Sequence, residues 1–301
     1  MATMKSGRFA VSCAVAAAML CATARADGEA EAENELEEEE DSFVSAEVAL
    51  KFDSRYLSYG LADNKDPILT PSGSLTFGDL LTVGADVIYD ITRYGHKAGY
   101  TSREWKINEF DPYVQIGSEL SADEYDWLPT SIEYDIGYMY EYHPRTKGKY
   151  DRSWCKDTQF VYADLTFTDC PLNPHFYFER DIDRDNGTYV NLEFSHEFSI
   201  VEDTLALTPS VAQGFGNTQR VAGYLFHDDG SPYRHGGLMD TLFKLELTWT
   251  LCENVELSGY VGYSDYLFDR NMRHAARNYE ATGRVDDSYN FIGGLAATLS
   301  F

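Results

Sequence analysis

Positive charge is scarce in this chain: 24 Lys and Arg face 50 Asp and Glu, for a formal net charge of −26. Nucleic acid is thereby excluded as a partner, because its phosphates are held by Lys and Arg. Long apolar runs are missing too. Beyond the first 26 residues no stretch approaches the roughly 18 apolar residues that a membrane-crossing helix requires, which excludes a helical membrane protein. Cysteine is sparse and badly spaced for metal. Cys13, Cys21, Cys155, Cys170 and Cys252 form no C-x-x-C pair, so a thiolate zinc site and a redox pair are both absent. The catalytic signatures G-x-S-x-G and H-E-x-x-H do not occur. Ser195 and His196 are neighbours, but adjacency on a strand throws their side chains onto opposite faces. The sequence therefore reads as a non-enzyme without a cofactor or metal.

What is present begins with an export signal. Lys5 and Arg8 precede an apolar stretch from Phe9 to Cys21, and Ala24-Arg25-Ala26 has the form of a small-residue cleavage site. Residues 1–26 are expected to be a signal peptide. Its loss removes Lys5, Arg8 and Arg25, taking the net charge from −26 to about −29, and leaves Cys155, Cys170 and Cys252. From Asp27 to Asp41 there are ten acids and no base. Such a block repels itself and has nothing to bury, so 27–42 is expected to be a disordered periplasmic tail.

Residues 43–301 form the folded part, and there the hydrophobic period is two. Val255, Leu257, Gly259, Val261 and Tyr263 alternate with Glu256, Ser258, Tyr260, Gly262 and Ser264; Phe243, Leu245, Leu247, Trp249 and Leu251 alternate with Lys244, Glu246, Thr248 and Thr250. Helical spacing is not sustained. About twelve such segments follow one another, near 44–58, 67–77, 80–92, 109–118, 129–142, 158–168, 174–181, 187–199, 204–214, 240–251, 254–268 and 288–301. Tight turns at 77–79, 200–203 and 252–254 largely alternate with long connections at 94–108, 142–157, 215–239 and 269–287. That sorting is expected of short periplasmic turns and long extracellular loops.

Alternation alone does not say whether the apolar face points inward or toward lipid. The polar rows are rich in acids that a packed interior would not tolerate but a wet lumen would. The apolar rows end in Tyr89, Tyr138, Tyr140, Tyr142, Tyr263, Trp249 and Phe301, as interfacial girdles do. The last segment places Tyr289, Phe291, Gly293, Leu295, Ala297, Leu299 and Phe301 on one face and stops at an aromatic, which resembles the terminal strand recognised by the outer-membrane assembly machinery. The predicted fold is thus all-β, a transmembrane antiparallel up-and-down barrel of about twelve strands. It is expected in the outer membrane, with both termini periplasmic and Phe301 as assembly signal.

A family resemblance rests on Phe52-Asp53-Ser54-Arg55-Tyr56-Leu57-Ser58-Tyr59-Gly60, then Asp63 and Pro67-Ile68-Leu69-Thr70-Pro71. This run resembles the first hairpin of TorF-type porins, and Leu251 to Tyr260 resembles their penultimate hairpin. The likeness is dispersed after about residue 43 and implies a porin-like barrel, with a strand carrying Ser54, Tyr56 and Gly60 followed by a second strand.

On the lumen-facing register the expected pore lining is Asp53, Arg55, Asp86, Glu133, Asp135, Glu193, Lys244, Glu246 and Glu256, with Lys51, Asp90 and Glu197 beside them. An acidic lining favours cations in a channel. Seventeen of the 21 mature bases fall in connections placed outside, among them Arg93, Lys97, Arg145, Arg273 and Arg277, where solvated loops or contact with glycolipid phosphate would account for them. Asp181-Ile182-Asp183-Arg184-Asp185-Asn186-Gly187 resembles a calcium loop. Its glycine falls one place late, and a hairpin turn on Asn186-Gly187 explains the same residues. The expected function is passive diffusion of small solutes or ions with weak cation preference. The alternatives are a closed barrel with a structural or surface-binding role and, remotely, a phospholipase-like hydrolase. Expected partners are outer-membrane lipid and glycolipid, the assembly machinery and the solutes.

Overall fold

The structure, a computed structural model, describes residues 43–78, 80–92, 106–125, 127–144, 157–278 and 288–301. The expected signal peptide and acidic tail lie outside the described residues, as do Cys155 and parts of three long connections.

Period two along the sequence becomes fifteen strands: β1 (Val44–Asp53), β2 (Tyr56–Ser58), β3 (Leu61–Asn64), β4 (Ile68–Phe77), β5 (Leu81–Asp90), β6 (Lys106–Leu120), β7 (Ile132–Glu141), β8 (Thr158–Phe167), β9 (His175–Asp181), β10 (Thr188–Ser195), β11 (Phe198–Val201), β12 (Leu205–Gly216), β13 (Gly237–Cys252), β14 (Val255–Asp265) and β15 (Tyr289–Ser300). Two short helices join them, α1 (Thr218–Tyr224) and α2 (Arg270–Arg277).

Each wall strand pairs antiparallel with its neighbour. The ring closes where β1 meets β15, from Glu47 opposite Ser300 to Asp53 opposite Gly294. Reciprocal bonds between Ala46 and Phe301, at 3.0 and 2.9 Å, seal that seam. β11 continues β10 after an interruption at His196-Glu197, because both pair with β12. The wall is therefore a closed twelve-stranded barrel, and every backbone group in a closed wall finds a partner without a free edge.

The exterior carries the apolar rows. Ile136, Val261, Leu295 and Phe291 are 60, 62, 64 and 67% exposed, and Val48, Leu247 and Trp249 share the outward face. Water does not tolerate a belt of that extent around a whole molecule, whereas lipid solvates it. The strands are the transmembrane elements; among the described residues no helix is long and apolar enough to cross a bilayer.

Three expectations need correction. The first wall strand ends at Asp53, not at 58. Ser54 still bonds Gly293 (2.8 Å), but the chain then leaves the wall, and β2 and β3 pair only with each other. Period two reads the same in both settings, so alternation could not mark the exit. The connections at 215–239 and 269–287 are not plain loops, since they contain α1 and α2. The Asn217 side chain caps α1 through Arg220 N, and Asp269 caps α2 through Asn271 N and Met272 N. Finally, there is a dry core inside the ring. Leu61, Val221, Leu225, Met239, Tyr266 and Met272 are fully buried at the loop end of the barrel, where β3, α1 and α2 converge.

Candidate functional site

The interior divides into two zones along the barrel axis. Toward the short-turn end it is polar and wet. Lys51 and Asp164 keep 49 and 34% of their side chains accessible, and Lys244 and Glu246 remain about a quarter accessible while pairing at 2.9 Å. Eight of the nine expected lining residues lie on inward rows of the ladder: Asp53, Asp86, Glu133, Asp135, Glu193, Lys244, Glu246 and Glu256. Several are spoken for across strands. Tyr260 donates to Asp53 (2.6 Å), and Gln115 donates to Asp135 (2.8 Å). Arg55 is the exception, because it stands on the segment that leaves the wall and donates to Asn290 (2.8 Å).

Toward the long-loop end the same inward rows become buried. Asp53, Asp90, Glu109, Asp111, Glu179, Asp181, Asp240 and Asp265 form a ring of acids that is nearly free of solvent contact. Sequence reasoning took lumen acids as evidence of water, and for this half that inference fails. Bases reach these acids from the connections, so several are not solvated outside as expected. Arg220 on α1 meets Glu179 at 2.8 Å and Asp185 at 3.5 Å, and Arg273 meets Asp265 at 2.7 Å. Arg184 lies 3.8 Å from Glu141 and 3.9 Å from Asp181. Arg93, Lys97 and Arg145 lie outside the described residues.

Arg220 has no solvent exposure, and its guanidinium lies 4.7 Å over the Tyr59 ring, with Phe160 and Tyr224 also within cation–π distance. Burial opposes its charge, but Tyr59, Glu179, Tyr224 and Asp185 outweigh it and hold the pKa above the ordinary arginine value. Burial also pushes the Tyr224 phenol up to about 12, so it remains neutral, and its oxygen accepts from Arg184 Nη2.

The element missed from sequence is the inserted hairpin β2–β3. It touches the ring at widely spaced strands: Tyr56 donates to Glu109 on β6 (2.8 Å), Tyr59 to Glu179 on β9 (2.6 Å), and Asn64 to Asp90 on β5 (2.5 Å). Asn290 on β15 donates to Gly60 O (3.0 Å), and Tyr266, just beyond β14, donates to Tyr59 O (2.6 Å). A segment that reaches β5, β6, β9 and β15 crosses the lumen. Gly60 makes the tip possible: its φ is +78°, and a Cβ there would lie 2.4 Å from Asp240 Cβ. The signal that could have revealed the hairpin is Gly60 followed by two apolar residues, Leu61-Ala62, inside what had been read as a connection.

The loop resembling a calcium site is a turn. Asp181 Oδ1 accepts the backbone N–H of Asp183 (2.9 Å) and Arg184 (2.8 Å), while Oδ2 accepts Thr158 Oγ1 (2.9 Å). Asn186 takes the left-handed conformation, φ 52°, in keeping with the hairpin-turn reading. Of the described cysteines, Cys170 is free and Cys252 is disulfide-bonded. His196 lies at the turn end, with Nδ1 at 2.9 Å from Pro171 O.

No protein-family model and no characterised protein matches the chain by sequence. Solved structures do resemble it in shape. A KdgM porin in complex with disordered oligogalacturonate is 7% identical, with 85% of this chain and 99% of that one covered at a TM-score of 0.45. An outer-membrane channel from Pseudomonas putida F1 is 10% identical, with coverage of 89 and 100% at 0.46, and the NanC porin is 8% identical, with 84 and 98% at 0.46. The barrel itself is established by this chain's own closed ladder.

Proposed function

We propose that this chain is a porin-like channel of the outer membrane and not an enzyme, passing small solutes or ions by passive diffusion with a weak preference for cations. The observation that carries this reading is the set of water-accessible charged side chains inside the ring, Lys51, Asp164, Lys244 and Glu246 among them. Removing such charges from water would cost several kcal/mol each, so their accessibility supports a water-filled interior in this half of the barrel, which a channel needs and a solid plug would not leave. Under this reading the long connections face outward, the termini lie in the periplasm, Phe301 serves assembly, and lipid and glycolipid surround the wall.

Conduction then depends on the hairpin. With β2–β3 in place the loop end is filled, so the hairpin acts as a gate whose displacement opens the path. The residues that resemble TorF-type porins, Phe52 to Gly60, are largely those of this gate. Planar-bilayer recording tests the proposal on the native protein and on a variant with 56–64 replaced by a Gly-Ser linker. The native channel should open intermittently, and the linker variant should conduct continuously, several-fold more on time average.

A second reading, a closed barrel with a structural or surface-binding role, is favoured by the dry core of Leu61, Val221, Leu225 and Met272. Silence from both proteins in the bilayer would select it.

A further inference from the structure

One block of inward side chains at the loop end is not accounted for by the gate. β6 and β7 are tied by reciprocal bonds between Phe110 and Tyr142, at 3.0 and 2.9 Å. Carried one step to either side, that ladder sets Glu109 opposite His143 and Asp111 opposite Glu141, which makes a two-by-two block of metal-ligating side chains. His143 Nε2 stands 3.3 Å from Glu109 Oε2 and 3.2 Å from Glu141 Oε1, and the three donor atoms all lie within 4.8 Å of one another. Ligands at about 2.0–2.1 Å from a tetrahedral ion are themselves roughly 3.3 Å apart. The two separations from the imidazole therefore match those of a coordination shell, with the two carboxylate oxygens within 4.8 Å of each other.

Two further observations point to a cation. Tyr56 donates to Oε1 of Glu109 (2.8 Å), which fixes that carboxylate with Oε2 toward His143, as an outer-shell partner orients a ligand. Asp111 is only 6% exposed, and its Oδ1 is buried with no hydrogen-bond donor among the described residues, beside Glu109 on its own strand and across the ladder from Glu141. Three carboxyl groups are thus enclosed with one imidazole and one guanidinium, Arg184, which reaches Glu141 at 3.8 Å and is shared with Asp181. Such a group of acids either holds protons or is compensated by a cation, because uncompensated buried charge is costly.

We infer that Glu109, Glu141 and His143 bind a divalent transition metal of the zinc class, with Asp111 Oδ1 as a further oxygen donor. Imidazole with carboxylates suits Zn²⁺, Co²⁺ or Ni²⁺, whereas Mg²⁺ and Ca²⁺ call for six or more oxygens. In this structure His143 Nε2 contacts both carboxylates directly, and the ion would take the place between them.

The test is calorimetric titration of Zn²⁺ into the purified, refolded chain carrying Cys170→Ser, together with visible spectra after Co²⁺ addition. One Zn²⁺ per chain is expected, with affinity falling about tenfold or more in Glu141→Gln and His143→Gln, and Tyr56→Phe weakening it by about the factor typical of outer-shell partners, 10–100-fold. Intense visible Co²⁺ bands in the parent protein, lost in Glu141→Gln, would place a low-coordinate ion in this block even if the His143 variant failed to fold. Zn²⁺ affinity unchanged in Glu141→Gln would assign the ion elsewhere, and no uptake by the parent protein would leave only the direct contacts of His143 with the two carboxyl groups. Either result overturns the inference.

Discussion

Arg220 is the charge around which the filled end of the barrel is organised. Its guanidinium is fully enclosed, holds Glu179 and Asp185, and lies over Tyr59 on the hairpin. Removing one partner of such a group leaves the others buried and uncompensated, at a cost of about 3–5 kcal/mol. Arg220→Ala should therefore lower the denaturant midpoint markedly, and Arg220→Lys should recover only part of it, because an ammonium lacks the planar face that stacks on Tyr59 and Tyr224. An unchanged midpoint in the alanine variant would mean that the core, not the charge, holds this end together. Gly60 offers a second probe of the hairpin. Any side chain there meets Asp240 at 2.4 Å on a backbone already at positive φ. Gly60→Ala should loosen the hairpin and speed tryptic cleavage after Arg55; native cleavage rates in the variant would show that the tip has room to shift.

Among the elements, the wall strands would set the charge that a permeating ion meets under the proposed channel function. Glu133, Asp135, Glu246 and Glu256 face inward on β7, β13 and β14, in the wet half of the barrel. Loop charges are screened over roughly 8–10 Å at physiological salt, whereas charges inside low-dielectric walls act on every passing ion. Changing the four to Gln or Asn should shift the reversal potential in a salt gradient toward zero while leaving assembly intact. The four are not expected to weigh equally: Lys244 sits 2.9 Å from Glu246 and offsets it, so Glu246→Gln alone should have the smallest effect. Anion preference in the native channel would show that the inner acids do not control selectivity.

For the molecule as a whole, orientation is the open quantity that biochemistry can fix. With the long connections outside, protease added to intact cells should cut at the exposed stretch around Arg234 and spare Glu253-Asn254 at the opposite end. Cuts within 215–239 should be confined to that stretch, because α1 is anchored by buried Arg220 and Val221. Cleavage at 252–254 in intact cells would invert the barrel. Deleting Phe301, which bonds Ala46 at the seam, should lower outer-membrane levels without affecting export across the inner membrane.

The sequence by itself determined the wall: its twelve strands, their inward and outward faces, and the closure of the first on the last. Each wall strand touches lipid on one side and lumen on the other, so Val255 to Tyr263 or Phe243 to Leu251 show two unlike faces locally, and the aromatic ends of the rows together with the terminal strand say which face meets lipid. What fills the wall was decided only in three dimensions. Tyr56 and Ser58 keep the period of the strand before them, yet they belong to a hairpin held by Tyr59, Arg55 and Gly60 against Glu179, Asn290 and Asp240. Arg55 and Asn290 are 235 residues apart, and Tyr59 and Tyr266 are 207. Whether an inward acid faces water or meets an arginine depends on those distant partners. Alternation along one strand records the environment of its two faces, but not which segment arrives to cover one of them.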